Sequence, residues 1–179
     1  MGSKRMGLAR MEALIENLKR EIDFGAGTIL RGLRHKAETL SSVGTHAAPT
    51  KTLTAADSGM HFFVDIGTVS VVAQLPAVAA GLTYKFILAT ASDNEATQDF
   101  VVSTGDDDVD INGSVLVNGA HVEVTSATSA VIIDTSDGAA TVGDWLEFTC
   151  DGTDWYVTGS VLSASALNIT NAADGHTVP

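Results

Sequence analysis

Two dipeptides that favour tight turns, Asn118-Gly119 and Asp151-Gly152, each lie between two runs in which apolar and polar residues alternate. Asn-Gly and Asp-Gly readily adopt the positive φ angles of two-residue hairpin turns, and alternation puts every second side chain of a strand on one face. Pattern and turn chemistry therefore agree in predicting two antiparallel β-hairpins. A helix, with its period of about 3.6 residues, would not gather these apolar positions on one side.

The second hairpin has the clearer cross-strand pattern. Two-residue turns would pair Val117 with Ala120, Val115 with Val122, Cys150 with Thr153, Phe148 with Trp155, and Leu146 with Val157. Phe148 and Trp155 are expected to anchor the apolar core, because two large aromatic side chains would meet there. Cys150 is the only cysteine, so no intrachain disulfide can form, and we expect it to be a buried small hydrophobe.

Further short apolar runs, separated by turn residues, follow residue 52. They cover residues 61–65, 69–75, 82–90, 100–103 and 131–134, with Asp137-Gly138 as a weaker turn. In the longest run, every second residue from Leu82 to Leu88 is apolar, so these side chains share one face. A series of about seven to ten short strands predicts a mainly β fold, an antiparallel β-sandwich or barrel with an N-terminal helical or extended arm.

The arm contains an amphipathic segment. Its apolar residues recur at intervals of three and four, the spacing of a helical seam. They are Leu8, Met11, Ile15, Leu18 and Ile22, with Leu14 beside them. A helix this short needs packing to be stable, so it either packs on its own domain or binds a partner. Residues 28–36 continue as a second short helix or as an extended basic segment.

Charge is divided unevenly along the chain. Residues 1–36 carry eight basic and four acidic side chains, a net charge of +4, and the rest carries two basic and eighteen acidic ones, a net charge of −16. The acidic body would repel nucleic acid, and no aromatic residues interleave with the basic ones to stack on bases. We therefore expect the arm to bind an acidic protein surface, and we expect no nucleic-acid partner.

These patterns divide the chain into three segments. Residues 1–48 are predicted to be the basic arm, residues 49–162 the β-domain, and residues 163–179 a tail that is either mobile or ordered by a neighbouring subunit. No apolar run reaches the roughly 18 residues that a membrane-spanning helix needs, so no membrane partner is expected.

Motifs that carry catalysis or bind cofactors are missing from the sequence. It has no Gly-x-x-x-x-Gly-Lys or Gly-x-Gly-x-x-Gly element, no Gly-x-Ser-x-Gly elbow, and its five histidines are isolated. We expect no enzymatic activity, no cofactor and no bound metal. Asp106, Asp108 and Asp110 alternate as in a calcium loop, but Ile111 and Val117 stand where that loop needs Gly and Glu, which favours a solvated loop.

Three stretches resemble β-domains in virion proteins of tailed bacteriophages. They are Thr52-Leu-Thr-Ala-Ala-Asp-Ser-Gly59, Gln74-Leu-Pro-Ala-Val-Ala-Ala-Gly-Leu-Thr-Tyr-Lys-Phe-Ile-Leu88 and Gly143-Asp-Trp-Leu-Glu-Phe-Thr-Cys-Asp-Gly-Thr-Asp-Trp-Tyr-Val-Thr-Gly159. Residues 1–20 also look like the start of short structural phage proteins. The resemblance covers most of the chain, and its motifs are structural and not catalytic.

The resemblance implies a capsid decoration (cement) protein. Such a protein would sit on the exterior of the virion head as a homotrimer, bind the major capsid protein at inter-capsomer positions and stabilise the shell. Leu14, Ile15 and Leu18 of the arm would supply apolar contacts to the capsid. Four arginines of the arm would supply charged contacts: Arg10, Arg20, Arg31 and Arg34. Three arms per trimer would supply avidity, so each contact can be weak.

Two other functions stay open at this point. Similar β-domains occur in head fibres and tail-associated proteins, so the chain could be an attachment module that binds host-surface glycans through exposed aromatics such as Tyr156 or Trp145. An enzyme acting on polysaccharide is the third possibility, and only the acidic loop at residues 106–110 supports it. The short chain, which lacks a long fibrous repeat, favours decoration.

Overall fold

A computed structural model of the chain describes residues 36–41, 50–67, 70–90, 98–106, 108–125, 128–135 and 139–170. The strands are β1 (Ala37–Ser41), β2 (Lys51–Thr52), β3 (His61–Asp65), β4 (Val71–Gln74), β5 (Thr83–Thr90), β6 (Asp99–Ser103), β7 (Ile111–Val117), β8 (Ala120–Val124), β9 (Ala130–Asp134), β10 (Trp145–Cys150), β11 (Trp155–Val161) and β12 (Leu167–Thr170). A 3-10 turn, Ala55–Asp57, lies between β2 and β3. All these elements belong to one compact unit, residues 35–179.

The strands form two sheets that share one core. The larger sheet has seven strands in the order β1-β3-β5-β10-β11-β7-β8, and the smaller has five in the order β12-β9-β6-β4-β2. Phe86 of β5 and Phe100 of β6 join the sheets, with ring centroids 5.2 Å apart. The mainly β class predicted from the sequence is therefore confirmed as a two-sheet sandwich.

The first six strands alternate between the sheets, so each sheet mixes parallel and antiparallel pairs. β1, β3 and β5 are parallel neighbours in the larger sheet, and β2, β4 and β6 are parallel neighbours in the smaller one. After each of these strands the chain crosses to the facing sheet, so it runs in its original direction when it comes back. Neighbouring strands joined in this way are parallel and cannot be linked by a tight hairpin turn. The antiparallel pairs predicted from the sequence are confined to the later strands and their contacts with β5 and β6.

Alternation along the strands builds the core. Tyr84, Phe86 and Leu88 of β5 are buried, as their shared face predicts. Phe148 and Trp155 are buried as well. Their ring contacts are with β5, because the Phe148 ring lies 5.9 Å from that of Phe86 and the Trp155 ring lies 5.8 Å from that of Tyr84. These aromatic side chains fill the space between the sheets.

The Asn118-Gly119 hairpin has the predicted register. Val117 lies opposite Ala120, and Val115 lies opposite Val122. Both turn residues have positive φ angles, 48° and 81°, as a two-residue hairpin turn requires.

The Asp151-Gly152 hairpin has a different register from the one predicted. Its loop contains four residues, so Cys150 lies opposite Trp155 and the predicted pair of Phe148 with Trp155 is wrong. Asp151 Oδ1 accepts hydrogen bonds at 2.8 and 2.9 Å from the backbone N–H groups of the last two loop residues, which stabilises the longer loop. The shift is two residues, so the same side chains stay on the core face.

Strands also occur within the ranges predicted to be arm and tail. β1 lies within residues 1–48 and pairs with β3, and β12 lies within residues 163–179 and pairs with β9. The amphipathic segment and the Asp137-Gly138 turn lie outside the described residues, so they stay predictions. Within the described residues, no helix is long and apolar enough to cross a membrane.

Candidate functional site

The outer face of the seven-stranded sheet carries a row of cross-strand neighbours that is mostly apolar. The row runs Phe63, Ile87, Trp145, Ser160, Leu116 across five strands. Phe63 is 39% exposed and Leu116 36%, and the residues between them are partly exposed. The row is therefore a partly exposed strip about 19 Å long, four strand spacings, and it is unusual because a sheet face in contact with water is normally polar.

Two loops extend the apolar surface beyond one end of the strands. Val142 and Leu162 are 62% and 66% exposed. Asp144, itself buried, ties the two loops together: its carboxylate accepts hydrogen bonds from the backbone N–H groups of Thr141, at 2.8 Å, and Leu162, at 3.0 Å. Because one carboxylate holds both loops, the two exposed side chains lie at the same end of the sheet, next to the start of β10 at Trp145.

Toward the other end of the strands, the same face becomes polar. His61, Lys85 and Glu147 are consecutive cross-strand neighbours. Nζ of Lys85 lies 3.6 Å from Oε2 of Glu147 and 4.2 Å from the centre of the Trp145 ring. The ammonium group therefore contacts a carboxylate and an indole at once, the second contact being a cation–π interaction. Both charged side chains are partly exposed, so the ion pair adds little to stability.

A shallow pocket of about 90 Å³ opens beside this ion pair. It is lined by Gly59, Met60, His61, Thr83, Lys85 and Glu147. The backbone around it is held in place, because the Gly59 N–H donates to the Thr83 carbonyl oxygen at 2.8 Å and the Thr83 N–H donates to Oγ of Ser58 at 3.1 Å. These two backbone N–H groups are therefore already paired, and the charged side chains that line the pocket are those of Lys85 and Glu147.

Tyr156 lies on the neighbouring strand β11, outside the lining of the pocket. It is the diagonal cross-strand neighbour of Glu147, since Glu147 lies opposite Thr158, two residues further along β11. The Tyr156 side chain is 44% exposed, and its O–H donates to Oδ2 of Asp151 at 3.1 Å. The backbone N–H of Asp154 is the main cause that lowers the pKa of Asp151, and the bond to Asp151 in turn raises the pKa of Tyr156. The ring is therefore held at its tip by a carboxylate.

The acidic loop singled out in the sequence forms a turn closed by its own groups. Oδ1 of Asp106 accepts a hydrogen bond from the Asp108 N–H at 3.0 Å, and Oγ1 of Thr104 donates to the Asp106 carbonyl oxygen at 2.7 Å. In the part of the chain that the structure describes, which leaves out residue 107, no group of three or more His, Cys, Asp and Glu side chains could hold a metal ion.

The predicted functional residues fall into three groups. The predicted capsid-binding residues all lie outside the described residues: Arg10, Leu14, Ile15, Leu18, Arg20, Arg31 and Arg34. Phe148 and Trp155 lie inside the core and take no part in the outer face. Tyr156 and Trp145, named as exposed aromatics, do lie on the outer face, and Tyr156 is the more exposed of the two.

The sequence analysis missed the apolar row. The available signal was a strand with apolar residues on both faces, as in Phe62-Phe63-Val64 and Val115-Leu116-Val117. Comparison of the chain with known protein families gives no match, and comparison with the curated proteins gives none either.

Proposed function

We propose that the chain is a structural virion protein, a capsid decoration protein of a tailed bacteriophage that binds the outer surface of the head as a homotrimer and stabilises it. The observation that carries the proposal is the apolar row, extended by Val142 and Leu162, on an acidic β-body. Exposed apolar side chains grouped on one face of a sheet are typical of a protein-binding surface. The resemblance to phage β-domains suggests the partner, the major capsid protein.

The charge pattern of the outer face supports a protein partner. No residue of the apolar row is charged, whereas residues 37–179 carry a net charge of −16. The centre of a protein interface is depleted in charged residues, because burying an unpaired charge is costly. At the apolar row, another acidic protein could pack against this one without burying a carboxylate.

The basic arm would add a second, electrostatic contact. The net charge of +4 on residues 1–36 opposes that of the body, and the apolar seam of the arm offers Leu14, Ile15 and Leu18 to a groove on the shell. Ordering such an arm on binding costs free energy, so each arm would bind weakly. Three arms on one trimer would raise the total affinity without any new kind of contact.

Co-sedimentation with heads stripped of this protein tests the role of the apolar surface. We expect the double variant Val142→Asp/Leu162→Asp to lose at least about tenfold in affinity, because two carboxylates would be buried at the contact. The control Thr149→Asp/Thr158→Asp adds the same two charges to exposed positions elsewhere on the same face and should pellet like the wild type. Equal binding by all three proteins would contradict the proposal.

A deletion tests the arm in the same assay. Residues 2–35 should be removed and no more, because β1 begins at Ala37 and the Lys36 carbonyl oxygen accepts a hydrogen bond from the His61 N–H at 3.0 Å. We expect a trimer by light scattering for the full chain, and loss of pelleting for the deleted chain. An unchanged thermal transition would show that the β-body is still folded; unchanged pelleting would contradict a role for the arm.

A further inference from the structure

We infer that the pocket between Lys85 and Glu147, together with Tyr156, is a binding site for a neutral pyranose unit of a polysaccharide. This site goes beyond the proposed binding to the capsid. The pocket lies toward the β10–β11 hairpin loop, away from Val142 and Leu162, so the two surfaces can be tested by separate substitutions.

The ion pair in the pocket favours a ligand that both donates and accepts hydrogen bonds. Nζ of Lys85 and Oε2 of Glu147 are 3.6 Å apart, which is longer than the about 2.7–2.9 Å of a strong charge-assisted hydrogen bond. Two adjacent hydroxyl groups of a sugar match this pair, because one can accept from the ammonium group while the other donates to the carboxylate. His61 and Thr83 add further polar groups to the same wall.

Charge argues against an anionic ligand. An anion would be repelled by Glu147 and by the net charge of −16 on residues 37–179, whereas a cation would be repelled by Lys85 but attracted by Glu147 and by that net charge. The phosphates of a nucleic acid would meet the same repulsion as an anion. A neutral polyol avoids the repulsion that an anion would meet.

Tyr156 supplies the aromatic surface on which a sugar ring can stack. Its side chain is 44% exposed, and as the diagonal neighbour of Glu147 it lies about 7–8 Å away along the sheet. The bond from its O–H to Asp151 fixes the ring before any ligand binds, which lowers the entropy cost of binding. Trp145 is less suited to this role, because Lys85 already lies over its ring at 4.2 Å.

The size of the pocket sets the expected mode of binding. A volume of about 90 Å³ is well below the roughly 300–1,000 Å³ of pockets that enclose a small molecule. It therefore takes the edge of one sugar ring, while the rest of the chain lies across Tyr156 on the open face. Binding by one protein copy should be weak, and an array of copies would strengthen it.

The test is binding of the full-length protein, immobilised on beads at many copies, to a printed array of neutral and acidic oligosaccharides. We expect neutral glycans to bind, with at least a tenfold loss for Tyr156→Ala and for Glu147→Gln. Phe63→Ala removes an exposed aromatic side chain of the apolar row, outside the pocket, and should bind within twofold of the wild type. All variants should keep the wild-type thermal transition, and Tyr156→Ala and Glu147→Gln, which leave the apolar row intact, should still pellet with heads.

Three results would overturn the inference: no binding of the wild type to any neutral glycan, binding of acidic glycans alone, or a loss in Phe63→Ala as large as that in Tyr156→Ala. Because head binding is measured in the same variants, failure of the sugar site and failure of the capsid proposal give different results. A protein that binds glycans but does not pellet with heads would support the site and contradict decoration.

Discussion

Gly113 is the residue that lets strands β7 and β11 approach each other. Its φ angle is 137°, and a Cβ atom placed on it would lie 2.1 Å from the carbonyl oxygen of Val157, its partner in the sheet. Gly119, in the hairpin turn, also has a positive φ angle of 81°, but nothing lies within 4 Å of its Cβ position. Alanine substitutions at the two glycines therefore distinguish the free-energy cost of backbone strain, present at both, from that of a steric clash, present only at Gly113.

We expect Gly113→Ala to destabilise the protein by at least about 3 kcal/mol and Gly119→Ala by about 1 kcal/mol. Both substitutions force alanine into a positive φ angle, but only the first drives a methyl group into backbone atoms that cannot move aside. Urea unfolding of the two variants measures the difference. Equal losses would show that the strands can separate to admit the methyl group.

Asp57 makes stability depend on pH. Its Oδ2 accepts hydrogen bonds from the backbone N–H of Thr54, at 3.0 Å, and from the Thr54 hydroxyl, at 2.8 Å. The hydroxyl bond is the main cause that lowers the pKa of Asp57 below its usual 3.8. The folded state thus favours the charged carboxylate, so its stabilising effect is present above pH 3.8 and is lost as the pH falls through the lower, folded-state pKa.

We therefore expect Asp57→Ala to lower the Tm by a constant amount between about pH 5 and 7, and we expect the difference from wild type to shrink below about pH 3.8. Thermal unfolding of both proteins across this range is the measurement. A difference that widens on acidification would mean that the protonated side chain is the stabilising form.

Among the elements, the loops before β10 and after β11 depend on Asp144. Asp144→Asn keeps the shape of the side chain, but one of its two acceptor atoms becomes an NH₂ group that cannot accept from a backbone N–H. We expect the free energy of unfolding, measured with urea, to fall by about 1.5–3 kcal/mol, the usual contribution of a hydrogen bond to a charged group. Amide exchange at Thr141 or Leu162 should also become faster. Glu123→Gln removes an exposed carboxylate of β8 and should change neither quantity.

The two hairpins show what local sequence can predict about an element. At Asn118-Gly119 both turn residues take positive φ angles, so turn chemistry alone sets the register. At Asp151 the aspartate side chain binds backbone N–H groups instead and lengthens the loop by two residues. The parallel pairs among β1 to β6 leave no such local signal, because each partner strand is reached only after a passage through the other sheet.

At the scale of the whole molecule, the sequence predicts the mainly β class but not which faces are covered. Val72, Val101, Ala130 and Ile132 are buried in a cluster separate from the main core, although their neighbours along each strand already point into that core. Leu116 also lies between two core residues, yet it is 36% exposed. Strands with two apolar faces therefore look alike in the sequence, whether the second face is exposed, as at Leu116, or buried, as at Val72.

The most direct test of the central claim is the number of protein copies bound per stripped head as a function of free protein concentration. We predict saturable binding by the wild type and by Thr149→Asp/Thr158→Asp, and at least about a tenfold weaker curve for Val142→Asp/Leu162→Asp. Absence of saturable binding by the wild type, or superimposable curves for the three proteins, would contradict the claim that the apolar surface of this β-body binds a capsid.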